Sequence, residues 1–119
     1  VYTLKFHIVW CTKYRKHVLN AEIAGALRLL FDKIAADNNC RIEEFNYEPD
    51  HVHLLLASDP SIYIPSLMKA LTGVSARLLF RLFPEIKSSL WGGHLWNPTY
   101  FIATVSPNYI KNQDNGTEL

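Results

Sequence analysis

Two histidines, and a tyrosine and a glutamine near the far end of the chain, are the residues whose spacing could do chemistry. In Asp50-His51-Val52-His53-Leu54-Leu55-Leu56 the imidazoles stand at i and i+2 of an apolar run. Side chains on a strand alternate between its faces. His51 and His53 therefore share one face, while Val52, Leu54 and Leu56 point the other way, into a core. Two imidazoles close together on one face make a pair of ligands for a divalent metal, and by themselves they suggest zinc. The plain alternative is two solvated histidines on the open side of a sheet.

Tyr109 and Gln113 are spaced i, i+4, one turn apart on a shared face if the segment is helical. If Gln113 reaches an ion held by His51 and His53, Tyr109 is carried beside it. A phenol next to a Lewis acid is arranged for nucleophilic attack on phosphorus. The ion would draw charge from the non-bridging oxygens and hold the scissile bond in line with the phenol. A free phenol has a pKa of about 10, so it needs help in losing its proton, and no residue stands out as that base. Taken alone, Tyr109 could equally be a packing residue.

The elements that must position these groups follow from pattern. Tyr2 to Thr12 alternates, with Tyr2, Leu4, Phe6, Ile8 and Trp10 on one face and Thr3, Lys5, His7, Val9 and Cys11 on the other. This predicts a first strand with one buried side. Lys13-Tyr14-Arg15-Lys16-His17 is a basic loop with an aromatic inside it. Asn20 is a good N-cap, and Ile23, Leu27, Leu30, Phe31 and Ile34 repeat at helical spacing to about Asn38. Arg41 to Tyr47 predicts a second strand with weak alternation, and Glu48-Pro49-Asp50 a turn that joins it to the histidine strand as a hairpin. Ser58-Asp59-Pro60-Ser61 ends that strand. From about Pro65, well placed at a helix start, Leu67, Met68, Leu71, Leu78 and Leu82 mark a second helix ending before Pro84. Lys69, Arg77 and Arg81 lie off its apolar stripe. Glu85 to Pro98 reads as an irregular connection, Tyr100 to Val105 as a fourth strand, and Ser106-Pro107 as the start of a short helix carrying Tyr109, Ile110 and Gln113 before a polar tail.

The order β-α-β-β-α-β plus a terminal helix predicts an α+β, ferredoxin-like sandwich: a four-stranded antiparallel sheet with two helices on one face, and a C-terminal helix carrying the tyrosine. His51 and His53 then lie on the uncovered side, and the terminal helix is the element expected to come to it.

The 119 residues are read as one domain spanning 1–119. An apolar fraction of 49% with 19% charged residues is that of a folded protein rather than a disordered one. A net charge of +1 means that a polyanion must be held by local basic patches, not by the overall field. No apolar run approaches the roughly 20 residues that span a bilayer, and no signal-peptide pattern opens the chain. Cys11 and Cys40 are too few and too far apart for a disulfide framework, so reduced thiols in the cytoplasm are expected.

His51-Val52-His53, preceded by Pro49-Asp50, resembles the histidine–hydrophobic–histidine motif of HUH nucleases. Around it lie Val9-Trp10-Cys11-Thr12-Lys13-Tyr14-Arg15, Lys69-Ala70-Leu71-Thr72-Gly73, Leu95-Trp96-Asn97-Pro98-Thr99-Tyr100-Phe101 and Tyr109-Ile110-Lys111-Asn112-Gln113. In this order, over nearly the whole chain, they resemble the single-tyrosine transposases of the insertion-sequence 200/605 family. The resemblance implies an enzyme of the prokaryotic cytoplasm that cuts single-stranded DNA at transposon ends, leaves a 5′-phosphotyrosine link and a free 3′-hydroxyl, and rejoins strands by the reverse reaction without ATP. It implies Tyr109 as nucleophile and His51, His53 and Gln113 as ligands of Mg2+ or Mn2+, of which manganese suits two imidazoles better. It also implies a homodimer whose first strands contribute to a joined sheet, and recognition of imperfect DNA hairpins. Candidates for that recognition are Lys13, Tyr14, Arg15 and Lys16, with Lys69, Arg77 and Arg81 on the second helix: cations fix the phosphate backbone and aromatics stack on unpaired bases.

One departure from the family pattern is the arm before the tyrosine, since only five positions separate Thr104 from Tyr109 and the family usually has more. Either the arm is shortened, or a mobile segment of it is missing from this sequence; the second is expected, because a hinged arm is the part most prone to disorder. Two rival readings remain: a nucleic-acid-binding module without catalysis, since an open four-stranded sheet resembles the RRM platform, and a domesticated relative that keeps the chemistry but moves no element. Against the first, the strand of His51 and His53 lacks the aromatic stacking pattern of such modules.

Overall fold

The structure, a computed structural model, describes residues 2–105. The alternation that opens the chain becomes β1 (Leu4–Cys11), in which Phe6, Ile8 and Trp10 are buried. α1 (Ala21–Asp37) begins where Asn20 Oδ1 accepts the Ile23 N–H at 2.9 Å, satisfying a donor that the first turn would otherwise leave unpaired. It ends at Asn38-Asn39, with Asn39 in the left-handed region (φ 59°) that asparagine tolerates at helix ends. β2 (Cys40–Glu48) and β3 (His51–Ser58) are joined by the two-residue turn Pro49-Asp50 as the predicted hairpin.

Pro65 lies in the first turn of α2 (Ile64–Leu82). The helix stops there because Phe83 precedes Pro84, and a residue before proline is pushed out of the helical region (Phe83 ψ 74°). Its buried stripe is Leu67, Met68, Leu71, Ser75 and Leu79. The expected Leu78 is only partly covered and Leu82 is exposed. The stripe keeps the i+4 spacing of 71, 75 and 79 because Ser75 accepts a buried hydrogen bond from Trp96. The connection after α2 is more regular than expected: it holds a short α3 (Pro84–Ser88) and a 3-10 turn at Trp91–Gly93 before β4 (Phe101–Val105).

The sheet order is β2-β3-β1-β4, all antiparallel, the ferredoxin-like arrangement predicted. Val52, Leu54 and Leu56 are fully buried against the helices. Trp10 packs edge-on against Phe31 of α1 and against Trp96, both at 5.6 Å between ring centres. The position of β1 bears on how two sheets could be joined. β1 lies inside the sheet, paired to β3 from Leu4 to Cys11 and to β4 from Lys5 to Val9, so the free edges among the described residues belong to β2 and β4. The predicted terminal helix with Tyr109 and Gln113 lies outside the described residues.

Candidate functional site

Register sets the open face of the sheet row by row. Residues paired across an antiparallel ladder share a face. His51 lies between Glu48 and Cys11, His53 between Asn46 and Val9 with Phe101 beyond, and Leu55 between Glu44 and His7. The two imidazoles are thus on the side away from both long helices, as predicted. His7, Asn46, Glu44 and Glu48 come with them, and no sequence motif singles these four out.

His51 is braced. Its Nδ1–H donates to Asp50 Oδ1 at 2.9 Å, and Asp50 Oδ2 accepts from Arg15 Nε at 2.9 Å. Hydrogen bonds from His51 and then from Arg15 hold the Asp50 carboxyl below the usual carboxylate range, so it is ionised at neutral pH. A carboxylate on Nδ1 fixes the ring and leaves Nε2 to meet a ligand, the common support of a metal-binding histidine.

Buried Thr12 fastens this brace. Its N–H donates to the Asp50 carbonyl at 2.9 Å and its hydroxyl to the Lys16 carbonyl at 2.7 Å, while its own carbonyl accepts from the Arg15 N–H. The Lys13–Arg15 turn so enclosed holds Tyr14 (φ 57°) and Arg15 (φ 53°) in the left-handed region. Such conformations cost about 1–2 kcal/mol for ordinary residues and persist where surrounding bonds impose them. Here the turn delivers Arg15 to Asp50.

His53 has a different neighbour. Its Nε2 lies 2.9 Å from His7 Nδ1, with the rings stacked 5.1 Å apart. Burial, followed by the proximity of His7, pushes the His53 imidazolium below the usual histidine range, which keeps the ring uncharged at neutral pH. An uncharged imidazole is the form that ligates a metal.

His51 and His53, on one face of β3 with His51 braced by Asp50 and His53 held uncharged, supply two imidazole donors of the kind that bind a divalent ion, but an incomplete set. No group of three or more His, Cys, Asp or Glu among the described residues is arranged to hold a metal.

The expected nucleic-acid contacts fall on different sides of the molecule. Tyr14 is exposed, with the Lys13 ammonium 5.1 Å from its ring centre, and Lys16 is exposed beside it. Arg15 lines a groove of about 400 Å³ with Val9, Asn97, Tyr100 and Phe101, at the end of the histidine face. Lys69 and Arg77 border a separate groove on α2, with Gly73 between them. Arg81 continues that i, i+4 ridge, across the sheet from the imidazoles.

Comparison with known proteins bears on what this face serves. The model of the family described as IS200-like transposases matches residues 1–114. The ISDra2 transposase TnpA of Deinococcus radiodurans is 49% identical over 120 residues, covering 95% of this chain and 86% of that one. The transposase of insertion sequence element IS200 from Salmonella typhimurium is 33% identical over 110 residues, covering 92% and 72%. Among solved structures, a Deinococcus radiodurans R1 protein assigned to the transposases superposes with a TM-score of 0.82 at 42% identity, covering 99% of this chain and 91% of that one. A REP-associated tyrosine transposase bound to a REP hairpin shares the fold alone, at a TM-score of 0.64 and 12% identity over 96% of this chain and 63% of that one.

Proposed function

This chain belongs to the IS200-like transposase family, and from that membership we propose that it cuts and rejoins single-stranded DNA at transposon ends with Tyr109 as nucleophile. The observation that carries the reading is the imidazole pair on the open sheet face, one ring braced by an ionised carboxylate and the other held uncharged. That is the support a divalent ion needs beside a scissile phosphate.

In the proposed reaction the Tyr109 oxygen forms a bond to phosphorus and the bond to the 3′ oxygen breaks. The products are a 5′-phosphotyrosine and a free 3′-hydroxyl, which takes up a proton. One phosphodiester replaces another, so the reverse attack by a 3′-hydroxyl reseals a strand without ATP. A bound Mg2+ or Mn2+ supplies positive charge at the non-bridging oxygens. His51 and His53 hold it, with Gln113 as the proposed third side chain, and the Arg15–Asp50 pair keeps His51 aimed. Tyr109 and Gln113, spaced i, i+4, arrive together.

DNA hairpins are the proposed partner, in keeping with the hairpin held by the REP-associated relative. Lys13, Tyr14, Lys16, Lys69, Arg77 and Arg81 are the proposed contacts, with Arg15 shared between them and Asp50. A homodimer is proposed as the working form, with any joined sheet made through a β2 or β4 edge.

The test is to incubate the protein with single-stranded DNA from its element's end and Mn2+, and to look for a protein–DNA adduct that survives denaturant. Tyr109→Phe is expected to abolish the adduct and leave hairpin binding intact. An adduct that persists in Tyr109→Phe rejects the nucleophile, and a wild type that binds hairpins yet never cuts leaves only a binding module.

A further inference from the structure

Phe101 is a large apolar side chain left in solvent beside the proposed cutting site. Register puts it there: on β4 it pairs with Val9, which pairs with His53, so the three lie in one row on the open face. Two strand spacings, roughly 10 Å, separate the Phe101 and His53 backbones. Phe101 is 63% exposed, so its ring gains little from burial in the free protein. It forms one wall of the groove of about 400 Å³ that Val9, Arg15, Asn97 and Tyr100 also line, a size that suits a small planar ligand.

The polar members of this groove offer donors. Arg15 spends Nε on Asp50, but its side chain is largely in solvent and a guanidinium carries further N–H groups beyond that one. Asn97 Oδ1 accepts from the Thr99 N–H at 3.0 Å and from its hydroxyl at 2.8 Å, so the amide has its NH2 donors left to offer. An aromatic face bordered by a cation and by donors matches a flat ring that carries acceptors and is tied to a phosphate, which describes one nucleotide of a single strand. Resting on the single-stranded DNA reading above, we propose that Phe101 is a stacking platform for one unpaired base next to the scissile phosphate, with Arg15 meeting a phosphate beside that base. The platform comes from β4 and not from the histidine strand, whose residues on this face are His51, His53, Leu55 and Ala57. Stacking of this kind tolerates any base, because each has a π-face.

The test is a double-mutant cycle between the ring and a base. Single-stranded DNA from the element's end is made intact and with one base removed in turn at each position flanking the cut. Affinity is measured in EDTA, so that binding is read apart from metal-dependent cutting. For wild type, one abasic position is expected to weaken binding by about five- to a hundredfold. Phe101→Ala is expected to lose the same factor on intact DNA and nothing more at that position. Phe101→Trp, which keeps a ring face, is expected to bind and discriminate as wild type does. Wild-type affinity in Phe101→Ala, an abasic penalty equal in both proteins, or a Phe101→Trp as weak as Phe101→Ala overturns the platform. So does a Phe101→Ala whose sedimentation shows a lost dimer in the absence of DNA, since the ring is then covered by a second copy. The two levels separate cleanly: coupling without any Mn2+-dependent adduct keeps the platform and rejects the proposed cutting, whereas an adduct without coupling rejects the platform alone.

Discussion

Trp96 donates its indole N–H to Ser75 Oγ at 3.0 Å, in a site closed to solvent. The bond ties the segment that precedes β4 to α2, and with Trp10 stacked edge-on against Trp96 it fixes the wall of the groove beside the histidine face. Ser75→Ala should strand a buried donor and destabilise the protein by about 1–3 kcal/mol. Urea unfolding followed by tryptophan fluorescence measures it; an unchanged midpoint means the indole finds another acceptor. Trp10 Nε1 is already buried without a partner, so this region starts with one unmet donor.

Asp50→Ala removes the acceptor that orients His51 and leaves Arg15 unpaired. Metal-dependent cleavage should fall by about ten- to a hundredfold, the usual effect of losing a ligand's supporting group. Stability should hardly change, since the Arg15 side chain is largely in solvent and such pairs contribute little. Single-turnover cleavage with a melting curve separates the two; equal losses in both would make Asp50 a structural residue.

Glu43 bridges two strands of the open face, 2.9 Å from Lys5 and 2.8 Å from Arg41. The hydrogen bond from Lys5, then that from Arg41, holds its carboxyl below the usual range. Its contribution is therefore fully present above the unfolded value of about 4.3 and is lost as pH falls through the lower folded value. Glu43→Gln should lower the urea midpoint most at pH 7, and by progressively less as the pH falls below the unfolded value and through the lower folded one. A drop that does not shrink with falling pH would show that shape, not charge, matters there.

Lys69→Ala with Arg77→Ala tests the helix-side groove as the hairpin-binding surface. Hairpin affinity should drop, and the slope of its logarithm against the logarithm of salt should shrink by about 0.9 for each phosphate that is no longer neutralised. Mn2+ uptake should be unaffected. Filter binding across a salt series measures the slope; a constant slope would remove both residues from the DNA interface.

Where one residue's neighbours in sequence decide its place, the sequence could be read. Asn20 and the spacing behind it placed α1, Pro84 placed the end of α2, and strict alternation put His51 and His53 opposite Val52, Leu54 and Leu56. What depends on partners far along the chain could not be read. His7 was placed on the correct face of its strand, but its contact lies 46 residues away and exists only through register. Ser75 looks like a break in an apolar stripe until Trp96 arrives from 21 residues on. β2 alternated weakly for a physical reason: a bulge between Ile42 and Glu44 switches its core side from Cys40 and Ile42 to Phe45 and Tyr47. Arg15 reads as one cation among several in a basic loop, and no local signal shows that two left-handed residues turn it onto Asp50.

The ridge of Lys69, Arg77 and Arg81 and the imidazoles stand on opposite sides of one sheet. If the proposed contacts on α2 grip a hairpin and the proposed site cuts it, the DNA would have to travel around the rim of the protein between the two. The fold would then act as a caliper, setting a shortest tether of nucleotides between stem and cut, below which no substrate engages both. A ladder of oligonucleotides with graded spacers would find that length as a step in cleavage with no matching step in binding.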